Sequence, residues 1–276
     1  MSRTTDDDPP DDLEALRRRA ADAAASGRDD ERVRALADLA GALWRSSPDD
    51  DLQARRPYLD EAIEALATAR QVQATTDPAP GAAWSAEVTF RLAALLTLRN
   101  MADGDPTEQN TILALLREVV SGEALPADRA ETARLLLGIV LVQGILLPFR
   151  AAGPADLLKI AMHVVATGPQ DFQEAVELLG RVEEERLPEN IKPLPLLLKL
   201  LLMYCRALSE GRAGRINLFQ IATLMKTARS FFDELSGGRD APPMLRRMAD
   251  DMRAGAGEAI EVLEEARETP SASARS

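Results

Sequence analysis

The side chains that most often supply a nucleophile and its base are scarce in this sequence. Histidine and cysteine occur once each, as His163 and Cys205. A Cys/His dyad would use the histidine to activate a thiolate for covalent catalysis. Both residues lie in strongly apolar segments, 160–165 and 201–205, whereas a reactive thiolate requires an electropositive and accessible environment. We interpret both as core residues and expect no catalytic activity.

Metal and phosphate sites lack their usual motifs. The sequence contains no pair of histidines and no Cys-x-x-Cys, so the common zinc patterns are absent. The acidic strings at 231–234 and 250–251 do not have the spacing of a paired Mg²⁺ site. The segment 211–215 lacks the Lys-Ser/Thr that completes a phosphate-binding loop. We therefore expect neither a metal nor a cofactor.

Charge and hydropathy exclude further classes of function. The net charge is −12, and nucleic-acid binding requires a clustered basic surface, so we expect no nucleic-acid partner. The apolar stretches 135–149 and 191–204 are interrupted by polar residues and prolines before they reach the ~18 apolar residues of a membrane span. With one cysteine and no apolar segment after Met1, the protein is predicted to be cytoplasmic.

The elements that must position any binding residue are helices. Leucine, alanine and charged residues dominate, and the apolar residues recur at helical rather than strand spacing. The pattern predicts an all-α protein of about ten helices, with disordered tails at 1–12 and 269–276 and a helical-repeat domain over 13–268. The predicted helices contain 33–43, 59–69, the residues after Trp84 and those after Asp105, followed by 127–149, 155–167, 170–186, 191–210, 216–236 and 242–267. The apolar residues that mark the first four helices are Val33, Leu36, Leu39, Ala40, Leu43, Leu59, Ala62, Ile63, Leu66, Ala69, Leu92, Leu95, Leu96, Ile112, Leu115, Leu116 and Val119, with Asp60, Glu61 and Glu64 outward. Asp105 is a predicted cap, followed by proline at the first helical position and by Glu108 three residues after the cap.

These helices come in pairs, and the first helices of successive pairs begin near residues 30, 83 and 127. The stretch from Pro57 to Leu66 resembles the second helix of a tetratricopeptide repeat in long actinobacterial arrays, which often precede a caspase-like CHAT protease domain. The stretch from Leu36 to Trp44 is similar to the first helix, with the small residues Ala40 and Gly41 where two helices approach closely. The resemblance is clearest over residues 30–100. It implies an α-solenoid of antiparallel helix pairs, whose first helices form a concave surface that binds a partner protein.

We predict a protein–protein interaction module, an adaptor or regulatory scaffold, whose partner the sequence does not name. Large aromatic side chains anchor many protein interfaces, and five are candidates for partner contact: Trp44, Tyr58, Trp84, Phe149 and Tyr204. The apolar run 194–203 is a candidate surface for self-association. The alternative is a helical protein with an apolar pocket for a small metabolite, a ligand sensor or an unusual enzyme, between the leucine-rich helices at 135–149 and 194–204.

Overall fold

The computed structural model describes residues 12–48, 52–76, 81–146 and 169–189, together with 191, 192, 194–196, 198, 199 and 202. Every regular element in these ranges is a helix, which confirms the predicted all-α class. The elements are α1 (Leu13–Ala25), α2 (Asp29–Ser46), α3 (Leu52–Thr75), α4 (Ala82–Asp103), α5 (Pro106–Gly122), α6 (Ala127–Leu146), α7 (Pro169–Arg181) and a 3-10 helix (Glu184–Arg186).

The helix boundaries follow the sequence signals with two exceptions. Helices α2, α4 and α6 begin within a residue of the predicted positions 30, 83 and 127. The leucine pattern does not predict α1, because that helix buries only the small residues Ala20 and Ala23. The α-helix predicted over 170–186 ends at Arg181. A tighter 3-10 turn replaces its last residues, and the proline at 188 disfavours helical backbone just before it.

The predicted apolar faces form the core of the first helices. In α3 and α5 every predicted inward residue is buried, and so are the three leucines predicted in α4. Each helix from α1 to α5 packs against the next. The buried predicted residues of these three helices are Leu59, Ala62, Ile63, Leu66, Ala69, Leu92, Leu95, Leu96, Ile112, Leu115, Leu116 and Val119.

Ion pairs join alternate helices as well as successive ones. Arg17 of α1 donates to both carboxylate oxygens of Glu61 of α3, at 2.6 and 2.8 Å. Further along α3, Arg70 donates to Glu118 of α5 at 2.7 Å. The sequence pattern predicts that Asp60 and Glu61 point outward, and their side chains are 45% and 36% exposed. Arginines from neighbouring helices partly cover them.

The connection between α4 and α5 is held by one buried side chain. Asn100 is 1% exposed; its backbone oxygen accepts from the N–H of Gly104 at 2.7 Å, and its Oδ1 accepts from the N–H of Asp105 at 2.7 Å. Gly104 has φ 69°, a left-handed conformation that glycine adopts without a Cβ penalty. Asp105 then caps α5 by accepting from Thr107 N–H at 2.8 Å, as its sequence predicts.

The chain divides into two compact units between Ala133 and Arg134, within α6. In the second unit α6 lies close to α7: a Cβ on Gly138 would come within 2.8 Å of the Leu179 side chain, so glycine permits this approach. None of the helices in the described part of the chain is long and apolar enough to cross a membrane.

Candidate functional site

An open groove of about 480 Å³ lies between the amino-terminal half of α4 and the start of α6. These are two of the three predicted first helices, and they are separated along the chain by α5. The groove is largely apolar, with charged side chains among its lining residues. It is lined by Ala83, Trp84, Glu87, Arg91, Pro126, Asp128 and Arg129.

Trp84 is the aromatic side chain among the residues that line the groove, and it is partly exposed at the start of α4. Its backbone N–H donates to the Gly81 backbone oxygen at 2.9 Å, so Trp84 lies in the first turn of the helix. Every described side chain from Trp84 to Met101 is at least partly buried. Fully exposed residues in this helix lie in its first turn, at Ala82 and Ala83, and at its last residue, Asp103.

The opposite wall of the groove is the start of α6. Leu125 is buried at 9% exposure, and Pro126 follows it, with its oxygen accepting from Ala130 N–H at 2.8 Å. This arrangement fixes the first turn of α6, so Asp128 and Arg129 stand exposed beside the groove. On the α4 side, Arg91 Nε donates to Glu87 Oε1 at 2.7 Å.

The structure separates the predicted aromatic contacts. Trp44, at the end of α2, is 39% exposed, and the guanidinium of Arg55 lies 4.8 Å from its ring centroid. That distance is typical of a cation–π contact. Tyr58, in α3, is partly buried. Trp44 lies beside the start of α3, and Trp84 follows the end of α3 along the chain. Helix α3 has 24 residues, so its two ends are about 36 Å apart. The two tryptophans therefore belong to different surfaces.

The remaining predicted residues fall elsewhere. Phe149 and Tyr204 lie outside the described residues, as do His163 and Cys205. In the run predicted for self-association, Leu194, Leu198 and Leu202 are buried, while Leu196 is 45% exposed. In the described part of this run Pro195 is buried as well, and Leu196 is the one exposed residue. Self-association stays a prediction.

A network of charged side chains stabilises the end of the helices opposite Trp84. Asp60 accepts from Arg56 at 3.1 Å and from Arg99 at 3.1 Å, Arg99 also binds Glu108 of α5, and Arg56 donates to Asp103 at 2.8 Å. The hydrogen bond from Arg56 holds the pKa of Asp103 below its ordinary value. The network links α3, α4 and α5 and leaves the groove at the other end of α4 unobstructed.

The same electrostatics act between α1 and α3. The hydrogen bonds from Arg17 lower the pKa of Glu61 from its ordinary value, and partial burial opposes that shift. The interaction with Glu61, followed by that with Glu14, raises the pKa of the Arg17 guanidinium. Both side chains of the pair are more than one-third exposed, so the contact fixes orientation more than it adds free energy of folding.

No family model, curated protein or solved structure matches this chain. The likeness to tetratricopeptide repeats therefore depends on the helix-pair segments named above. Gly41 departs from that pattern: a Cβ there would meet only the Arg45 guanidinium at 3.5 Å, so no neighbouring helix requires glycine at this position. In the ranges that the structure describes, no three His, Cys, Asp or Glu side chains form a group suited to a metal ion.

The geometry brings together residues that the sequence does not connect. Among the predicted contact residues that the structure describes, Trp84 alone lines the groove. The sequence identifies Pro126 only as a helix start. Glu87, Arg91 and Arg129 are not distinguished from other surface charges. The sequence signal for the groove was the position of its walls, since both lie toward the amino-terminal ends of predicted first helices. An open, apolar groove of this kind suits the side chain of a bound peptide segment.

Proposed function

We propose that this protein is a protein–protein interaction module of the α-solenoid type, in which α2, α4 and α6 are the first helices of successive pairs. One observation carries the proposal: the groove lined by Trp84 lies between the starts of two successive first helices. Sequential packing and ion pairs between alternate helices are compatible with stacked pairs. The partner is a protein segment, and we propose a cytoplasmic adaptor or scaffold without catalytic activity.

Trp84 is the anchor of this proposed contact. Tryptophan is enriched among the residues that contribute most to binding, because it offers a large apolar surface with little rotamer entropy to lose. Trp84 is partly buried in the free protein, so its position is set before binding. A preorganised anchor reduces the entropic cost of association.

A comparison of three baits tests the proposal: the wild type, Trp84→Ala and Trp44→Ala, each with quantitative mass spectrometry of the proteins that it retains. The proposal expects a stoichiometric partner that the wild type and Trp44→Ala retain and that Trp84→Ala loses. Loss of an aromatic anchor typically costs 2 kcal/mol or more, so its affinity should fall at least about thirtyfold. Circular dichroism must show that both variants keep wild-type helicity.

Other results contradict the proposal in distinct ways. A partner lost by Trp44→Ala and kept by Trp84→Ala would place the contact at the end of α2, beside Arg55. Retention by all three baits would exclude both tryptophans as anchors. The alternative of an apolar metabolite pocket involves the predicted helices at 135–149 and 194–204. Parts of both stretches lie outside the described residues, and the alternative stays a prediction.

A further inference from the structure

The charges around the groove are not all neutralised by their neighbours. Glu87 has a side chain only 15% exposed, and Arg91 pairs with it at 2.7 Å. This pair is four residues apart on α4, so its two charges offset each other within one helix. A ligand that approaches this wall meets no net charge.

The α6 wall differs. Asp128 lies in the first turn of the helix, where the partial positive charge of the helix N-terminus stabilises a carboxylate. Arg129 follows it in the same turn, where that field disfavours a cation. Its side chain is exposed, and no carboxylate among the described residues pairs with it. Helix stability therefore does not account for an arginine at this position.

We infer that the groove binds an acidic peptide segment, in which an apolar side chain lies against Trp84 and a carboxylate pairs with Arg129. This inference rests on the proposed function. A guanidinium suits the role because it binds a carboxylate through two parallel hydrogen bonds. A basic segment is disfavoured because, of the two acids that line the groove, Glu87 is paired with Arg91 and Asp128 is stabilised by the helix N-terminus.

The overall charge of the protein restricts the binding of acidic segments to sites that offer a local cation. A chain of net charge −12 repels acidic segments in general and attracts basic ones. Screening limits that background field to roughly 8 Å at physiological ionic strength. An acidic segment thus binds where a cation lies within contact distance, as Arg129 does at the groove.

A displayed library of random twelve-residue peptides tests the inference, with the full chain as bait. The variants are Arg129→Glu, Trp84→Ala and Arg34→Glu. Arg34 is exposed on α2 and does not line the groove, so its reversal is a control with the same change of net charge. Peptides enriched by the wild type should combine an aliphatic or aromatic residue with Asp or Glu. Arg129→Glu should weaken the best such peptide about threefold to tenfold, and Arg34→Glu less than about twofold.

The outcomes separate this inference from the proposed function. Enriched peptides that require Trp84 but show no acidic preference would mean that the groove binds peptides without the proposed specificity. Equal weakening of these peptides by Arg129→Glu and Arg34→Glu would lead to the same conclusion. Enrichment of basic peptides would also overturn the acidic specificity. If no peptide depends on Trp84, the proposed function itself fails. Thermal melts of each variant establish that a lost interaction does not reflect unfolding.

Discussion

The side-chain amide of Gln73 in α3 is buried without a hydrogen-bond partner, and its removal should stabilise the protein. The residue is 6% exposed, and neither Nε2 nor Oε1 has a partner among the described residues. A buried polar group left unpaired costs about 1–3 kcal/mol. Gln73→Met replaces the amide with an apolar group of similar length, so we expect the free energy of unfolding to rise by about 1–2 kcal/mol.

The measurement is urea denaturation followed by tryptophan fluorescence. Both tryptophans of the chain, Trp44 and Trp84, belong to the compact unit that ends at Ala133, which also contains Gln73. Their fluorescence therefore reports the unfolding of that unit, whatever the second unit does. At about 4 °C per kcal/mol for a unit of this size, Tm should rise by roughly 4–8 °C.

Gln71→Met is the matched control, since Gln71 is exposed on the same helix. Substitutions at exposed positions usually change stability by less than about 0.5 kcal/mol. A fall of more than about 1 kcal/mol in the free energy of unfolding of Gln73→Met, with a neutral control, would show that the amide is not unpaired. The amide would then make stabilising hydrogen bonds, for example to ordered water. Equal stabilisation by both variants would assign the effect to methionine rather than to burial.

Two further predictions concern the packing and the ion pairs. Gly138→Ala places a Cβ within 2.8 Å of the fully buried Leu179, whereas Gly180→Ala meets nothing within 4 Å. Helix propensity favours alanine by about 1 kcal/mol, so Gly180→Ala should stabilise the protein. Gly138→Ala should destabilise it by about 1–3 kcal/mol because its Cβ is overpacked. Thermal melts followed by circular dichroism measure both effects, and stabilisation by both variants would exclude the close approach. Because Arg17 lowers the pKa of Glu61, the folded state binds fewer protons than the unfolded chain near the ordinary value of 4.5. The free energy of unfolding should therefore fall as the pH is lowered from about 5 to about 3, and it should fall less steeply in Glu61→Gln than in the wild type. Identical pH profiles of these two proteins in urea titrations would contradict the pairing.

Helix positions and buried faces were predictable because they depend on local pattern. The spacing of Ile112, Leu115, Leu116 and Val119 specifies one face of α5, and all four are buried. The Asp105-Pro106 start of that helix also follows from local rules, and Asp105 caps it as expected. These features involve residues within one or two turns of each other, where side-chain direction follows from helical geometry.

Predictions about polar partners succeeded less often. The sequence Asp-Pro-Thr-Glu at 105–108 suggests a capping box, in which Glu108 would accept from the N–H of Asp105. Instead Asn100 accepts from that N–H, and Glu108 binds Arg99. The pattern placed Asp60 and Glu61 on the outer face of α3 without identifying their partners. Long arginine side chains from other helices reach these carboxylates, and helical periodicity carries no information about them.

By itself the sequence determined the all-helical class of the described part of the chain, the starts of α2, α4 and α6 and the residues that face the core. Each of these follows from the local spacing of apolar and capping residues. The tertiary structure decided which of the candidate aromatics shares a site with other side chains. Trp84 and Arg129 are far apart along the chain, and they line one groove because α5 returns the chain to the same end of α4. That return depends on packing between helices, with the turn held by Asn100, and no local pattern specifies it.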